Sequence, residues 1–203
     1  MGFSPERIRA NLERLRAEVG PEVEVVVATK YVSLDDMAAL AEAGVAIVGE
    51  NRLQDLVRKR ERYGTSFRWH FIGHLQSRKA RDVSRLCELV HSLGSLSAAR
   101  RLTAPALVEV NLSGEETKSG IAAEELDGFL ADARSLGVDV RGLMTMPPLA
   151  DDPERSRPYF RRLRELAGAH GLRELSMGTS QDYTVAVEEG ATLVRIGSLL
   201  FER

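Results

Sequence analysis

Residues 23–44 read VEVVVATKYVSLDDMAALAEAG, and this stretch holds the unit from which the chain is built. Val23 to Thr29 is an apolar, β-branched run of strand length. Ser33 and Asp36 then have the spacing of a capping box. Leu34, Met37, Ala38 and Ala41 follow at helical spacing, and Gly44 supplies the stop. Between strand and helix stands Lys30, an amine placed where the apolar run ends.

The same grammar recurs along the chain. VAIVG, RWHFIG, ELVHSL, ALVEVNL, VDVRGLM, ELSMG and TLVRIG follow the first run and bring the number of strand-like segments to eight. The intervening segments carry helical signals. They include Val83, Leu86 and Cys87; Leu126, Phe129, Leu130 and Ala133 ending at Gly137; and a segment opened by Asp152-Pro153 and closed by Gly171. Strict alternation demands parallel strands joined by helical crossovers. Eight such units fit a closed (β/α)8 TIM-type barrel better than an open doubly wound sheet. The eighth run ends almost at the C-terminus, and residues 5–18, which carry Ile8, Leu12 and Leu15 on one face, are suited to supply its covering helix. A length of 203 residues with 43% hydrophobic content is expected to form one domain, 1–203.

Composition narrows the function classes. A net charge of -2, from 28 basic and 30 acidic residues, leaves no general footprint for nucleic acid or an anionic membrane. Cys87 is the lone cysteine, which removes internal disulfides and multi-cysteine metal sites, and it is expected to pack as a small apolar residue. His70 and His74 lie four residues apart along one run, about 13 Å at strand rise, too far for one ion, so no metal site is expected. The N-terminal segment has no signal-peptide core and no run approaches the ~20 apolar residues of a bilayer span, so a cytoplasmic protein is expected.

Polar groups gather at the C-terminal ends of the strands, where barrel enzymes carry their sites. Lys30 follows the first run, Asn51 the second, His74 the third, and Asn111 ends the fifth. SMGTSQD follows the seventh and RIGS the eighth. Gly178 and Gly197 are expected to let backbone N–H groups approach a ligand, and Ser180 to cap the helix QDYTVAVEEG, an arrangement suited to phosphate. Closure of the barrel would bring Lys30 against this phosphate end, because the first and eighth strands then pair at about 4.8 Å. An amine whose pKa is lowered by an apolar surround is a nucleophile for carbonyls. Pyridoxal 5'-phosphate meets both requirements, as does a phosphorylated aldol substrate.

The blocks VVVATK, VGENRLQD, WHFIGHLQSRKAR, VNLSGEETKSG, GLMTMPP and LSMGTSQD…VRIG resemble, in order and over nearly the whole chain, the YggS/PROSC family of pyridoxal phosphate homeostasis proteins. The resemblance implies the barrel of alanine racemase without its additional β domain. It implies pyridoxal phosphate held as an aldimine on Lys30, with Asn51 near the cofactor, Ser180, Gly197 and Ser198 on the phosphate, and Arg195 facing the pyridine nitrogen. It also implies a monomer that buffers or delivers the cofactor to pyridoxal-phosphate-dependent apoenzymes, with no catalytic residues of its own. A racemase-like enzyme and, behind it, a Schiff-base aldolase are the alternatives. Lys79 and Lys118 fall in matching blocks but have polar surroundings, as a surface or a second anion site would.

Overall fold

The computed structural model describes residues 3–115 and 119–202. Lys118 lies outside the described residues. Each of the eight apolar runs contains a strand: β1 (Glu24–Ala28), β2 (Ile47–Glu50), β3 (Arg68–Phe71), β4 (Leu89–Leu93), β5 (Ala106–Asn111), β7 (Val140–Met144), β8 (Glu174–Thr179) and β9 (Leu193–Ile196). A ninth, the two-residue β6 (Ile121–Ala122), was not foreseen and attaches to β5. The eight long strands form a parallel sheet ordered β4-β3-β2-β1-β9-β8-β7-β5, and pairing of β4 with β5 closes it. The fold is a closed (β/α)8 TIM-type barrel.

The helices are shorter than their sequence signals. After α1 (Pro5–Val19) come α2 (Met37–Glu42), α3 (Leu53–Tyr63), α4 (Ala80–Ser84), α5 (Leu96–Ala99), α6 (Leu126–Ser135), α7 (Arg157–Ala169) and α8 (Tyr183–Glu188). At α2 the Ser33 hydroxyl accepts from the Asp36 N–H at 3.1 Å and donates to the Asp36 carboxylate at 2.6 Å. That reciprocal pair closes a turn, and the helix starts only at Met37, one turn later than Leu34. The predicted stops hold. Gly44, Gly137 and Gly171 take φ of 82, 82 and 65°, the left-handed region where glycine has no side chain to clash.

The N-terminal helix takes the place expected of it. Ser4 accepts from the Arg7 N–H, Pro5 occupies the first turn, and Ile8, Leu12, Leu15 and Val19 are buried on one face. This helix packs against both α2 and α8. Asn11 donates from its side-chain amide to the carbonyls of Leu200 (3.1 Å) and Glu202 (3.2 Å), while Phe3 stacks on Phe201 with centroids 4.4 Å apart. Both ends of the chain are thereby tied together at the β9 side of the barrel.

Inside the barrel, Val26, Ile47, Leu89, Leu107, Met144 and Leu193 form an apolar plug separate from the larger core between strands and helices. Cys87 is buried in that outer core, and burial pushes its thiol up to about 12, so it packs as an inert apolar group. No helix among the described residues is long and apolar enough to cross a membrane. Truncation of Leu12, 2% exposed in α1, to alanine should cost about 2–5 kcal/mol in urea unfolding. A loss below about 0.5 kcal/mol, the level of a surface substitution, would mean that α1 is not part of the barrel's core.

Candidate functional site

Closure has its main effect at the C-terminal ends of β1, β8 and β9. The β1–β9 register pairs Val26 with Arg195 and Val27 with Ile196, so the loop after β1 lies beside the loop after β9. A cavity of about 450 Å³ opens there. All six residues singled out from the sequence line it: Lys30, Asn51, Ser180, Arg195, Gly197 and Ser198.

Their environments differ from expectation in three respects. Lys30 is exposed rather than surrounded by apolar groups, with its Nζ 4.9 Å from the centroid of the Tyr31 ring. It lies beyond the end of β1, where the backbone has left the barrel wall. Ser180 does not cap a helix. The N-cap of α8 is Asp182, whose carboxylate instead accepts from the Thr179 N–H at 2.7 Å and the Ser156 hydroxyl at 2.8 Å. Ser180 Oγ accepts from the Gly197 N–H at 3.1 Å, bridging the loops after β8 and β9. Gly178 is not among the residues that line the cavity. A Cβ there would lie 2.6 Å from that of Ala186, and φ is +90°, so glycine is required for α8 to pack on β8.

Gly197 behaves as the cavity requires. A Cβ at this position would meet only Ala28, at 3.9 Å, so the missing side chain leaves open volume at the start of the 3₁₀ turn Ser198–Phe201. Asn51 Oδ1 is buried without a hydrogen-bond partner, an expensive state for an amide oxygen unless a ligand supplies a donor. Arg195, 5% exposed, donates from one terminal nitrogen to the Ser176 carbonyl (2.9 Å) and hydroxyl (2.5 Å) and from the other to the Thr145 carbonyl (3.1 Å). No carboxylate ion-pairs with it among the described residues. Burial lowers its pKa to about 10, which leaves it cationic at neutral pH.

Comparison with known proteins gives this cavity its family. Residues 4–202 match the model of the alanine racemase N-terminal domain. A pyridoxal phosphate homeostasis protein of Aquifex aeolicus is 39% identical over 97% of this chain and 96% of its own length, and one of Deinococcus radiodurans is 37% identical over 98% and 100%. The chain belongs to the pyridoxal phosphate homeostasis family. The PipY structure of Synechococcus elongatus with pyridoxal phosphate bound superposes with a TM-score of 0.87 at 30% identity, covering 96% of this chain and all of that one. Alanine racemase of Corynebacterium glutamicum, at 17% identity and a TM-score of 0.78, shares the fold, and its match covers 62% of that enzyme.

Beside the six residues, this family member's cavity has walls that single positions did not reveal: Phe3, Tyr31, Val32, Ile72, Met146 and Phe201. Their signal was ordinary hydrophobicity, shared with the core. Also unforeseen is a buried ion pair just outside the barrel. Lys59 on α3 donates to Glu50 Oε1 at 2.5 Å and to the Thr29 carbonyl at 2.7 Å, and the Thr29 hydroxyl donates to the same carboxylate oxygen at 2.5 Å. This network grips the residue immediately before Lys30. Asn111 closes its own turn by accepting from Ser113 and donating to the Glu115 carbonyl, and His74 lines a separate cleft of about 630 Å³. His70 is buried against His91, so the two histidines of the third run do not converge on one site.

Two outcomes follow from these buried charges and imidazoles. Lys59→Met should cost about 3–5 kcal/mol in urea unfolding because it strands the Glu50 carboxylate, whereas adding Glu50→Leu should recover much of that loss. Burial holds His70 down to about 3 and His91 well below its ordinary range. Their folded pKa values lie below the unfolded value, so the unfolded chain takes protons first and stability is lost as pH falls from about 6.5 toward 3. Each imidazole contributes a slope of up to about 1.4 kcal/mol per pH unit. Between pH 6.5 and 5, above the range of most carboxylates, His70→Asn should flatten the stability profile by up to that amount. An unchanged slope would place His70 in contact with water.

Proposed function

We propose that this chain binds pyridoxal 5'-phosphate in the 450 Å³ cavity and buffers or delivers it to pyridoxal-phosphate-dependent apoenzymes in the cytoplasm, acting as a monomer without robust catalysis of its own. The observation that carries the reading is the convergence, on one cavity, of an amine at the mouth, a hydroxyl-and-glycine turn at one end, and a buried guanidinium. When bound, the cofactor supplies an aldehyde carbon, a phosphate and an electron-withdrawing ring.

Each residue has a distinct task. Lys30 provides the amine for the covalent link to the aldehyde carbon. Ser180, already fixed by the Gly197 N–H, directs its hydroxyl proton toward the phosphate, and Ser198 adds a second hydroxyl at the head of its turn. Asn51 lies where its unpartnered oxygen gains a donor. Arg195 has only donors, so it suits a ring nitrogen presenting a lone pair and keeps that nitrogen unprotonated. An unprotonated ring draws electrons more weakly, which favours retention of the cofactor over turnover.

The distribution of proton-exchanging groups supports the same conclusion. Of the titratable side chains lining the cavity, Lys30 and Tyr31 are consecutive and stacked, and Arg195 stays protonated. Racemisation by two bases needs acid–base groups on opposite faces of the substrate carbon. Lys30 and Tyr31 share one wall.

Borohydride reduction of the cofactor-loaded protein followed by peptide mapping should place the pyridoxyl group on Lys30, and Lys30→Ala should abolish the chromophore. Label found mainly on Lys79 or Lys118 would reject the assignment. Replacing both Ser180 and Ser198 by alanine should weaken cofactor binding at least roughly ten-fold, since hydrogen bonds to charged groups contribute about 1.5–3 kcal/mol each. Unchanged affinity in a folded double variant would move the phosphate elsewhere. Racemisation of amino acids by the wild-type protein at turnover rates of about 1 per second or more would favour the enzyme reading instead.

A further inference from the structure

Above the apolar plug, a line of buried polar groups crosses the barrel interior. His70 Nδ1 on β3 lies 2.9 Å from His91 Nε2 on β4. His91 Nδ1 lies 2.8 Å from Ser176 Oγ on β8, and Ser176 Oγ lies 2.5 Å from a terminal nitrogen of Arg195 on β9. All four side chains are at least 95% buried. Ligand binding as described above engages only the last of them.

The chemistry of Arg195 sets the direction of its own bond, and an acceptor for the serine proton sets the directions of the rest. A guanidinium only donates, so Ser176 Oγ accepts there. The serine proton then goes to the other group in reach, His91 Nδ1, which must be the bare nitrogen. His91 therefore carries its proton on Nε2 and donates it to His70 Nδ1. His70 in turn is protonated on Nε2, the buried atom that has no partner. With both rings kept neutral by burial, this is the arrangement in which the serine proton also finds an acceptor.

The bonds also determine which guanidinium protons stay free. One terminal nitrogen gives its protons to the Ser176 carbonyl and hydroxyl. The other gives one to the Thr145 carbonyl and turns its second toward Met146 Sδ, a weak acceptor 4.0 Å away in the cavity wall, while the Nε proton takes part in none of these bonds.

We propose that His91 is a positioning residue for the cofactor cavity: acting through Ser176, it holds Arg195 in one orientation and so keeps a free guanidinium N–H directed at the ring nitrogen of the ligand. The inference rests on pyridoxal phosphate as that ligand. His91 touches no ligand atom. Its effect is transmitted by the serine, whose proton it accepts, which fixes the rotation of the hydroxyl and the direction in which its lone pairs meet Arg195.

The test uses full-length protein loaded with pyridoxal phosphate. His91→Leu removes the acceptor and should weaken cofactor binding by about ten-fold, the loss of roughly one charge-assisted bond, and shift the absorbance maximum of the lysine-linked cofactor. His91→Asn, whose side-chain oxygen can take the place of Nδ1, should restore the wild-type maximum and most of the affinity. Ser176→Ala should reproduce the His91→Leu spectrum, and the double variant should be no worse than either single one, because the two act in series. Wild-type spectrum and affinity in a folded His91→Leu protein, or losses that add in the double variant, would overturn the inference. Should His91→Leu fail to fold, Ser176→Ala decides alone: an unchanged maximum and affinity there overturn it. A wild-type protein that takes up no cofactor would refute the cofactor reading and this inference with it. Normal wild-type loading with an unaffected Ser176→Ala spectrum would refute this inference only.

Discussion

The pairing of β1 with β9 is the constraint on which the rest of the molecule depends. These strands lie at opposite ends of the chain, and until they hydrogen-bond, the amine after β1 and the turn after β9 have no fixed relation. Once they pair, Val26 stands beside Arg195 and the two loops open on one cavity. The helix that covers the seam is α1. Asn11 and Phe3 tie that helix to Leu200, Glu202 and Phe201, so the seam of the fold and the edge of the site are the same place.

Polarity inside the barrel is organised around that seam. The plug of six apolar side chains fills the interior below, where no ligand is needed. Above it the structure buries a cation, a serine and two imidazoles, each of which would be costly alone. The cost is limited because every contact joins a donor to an acceptor along one line, leaving a single orphaned nitrogen at the far end. On the other flank, Glu50 and Lys59 neutralise one another and fasten Thr29, so the residue before Lys30 is anchored by hydrogen bonds although the lysine itself is exposed.

Local chemistry accounts for how much of this was legible in the residues alone. The count of eight strands came from short-range alternation, and glycine stops such as Gly44 and Gly137 came from a backbone conformation that side chains disfavour. Five of the six cavity residues follow strands, a position that in a closed parallel barrel always faces the same end, whereas Arg195 lies within β9 and was singled out by the family resemblance. Ser180 was assigned to the right cavity for the wrong reason: helix capping is a local pattern, but its partner Gly197 lies 17 residues away in the neighbouring loop. At Gly178, likewise, nothing in its neighbours reveals that Ala186 packs against it.

By itself, then, the sequence determined the architecture and the set of groups available at the barrel mouth, because strand and helix periodicity, turn chemistry and strand-end position are properties of adjacent residues. Tertiary structure alone decided which groups touch. His91 meets Ser176 across 85 residues, Arg195 meets Thr145 across 50, and Asn11 reaches Leu200 across 189. Those contacts arise from strand register and barrel closure, which bring distant segments within hydrogen-bond reach and leave no trace in local spacing. They also decide burial, and burial is what separates the exposed Lys30 from Lys59, the one locked to a carboxylate in the interior.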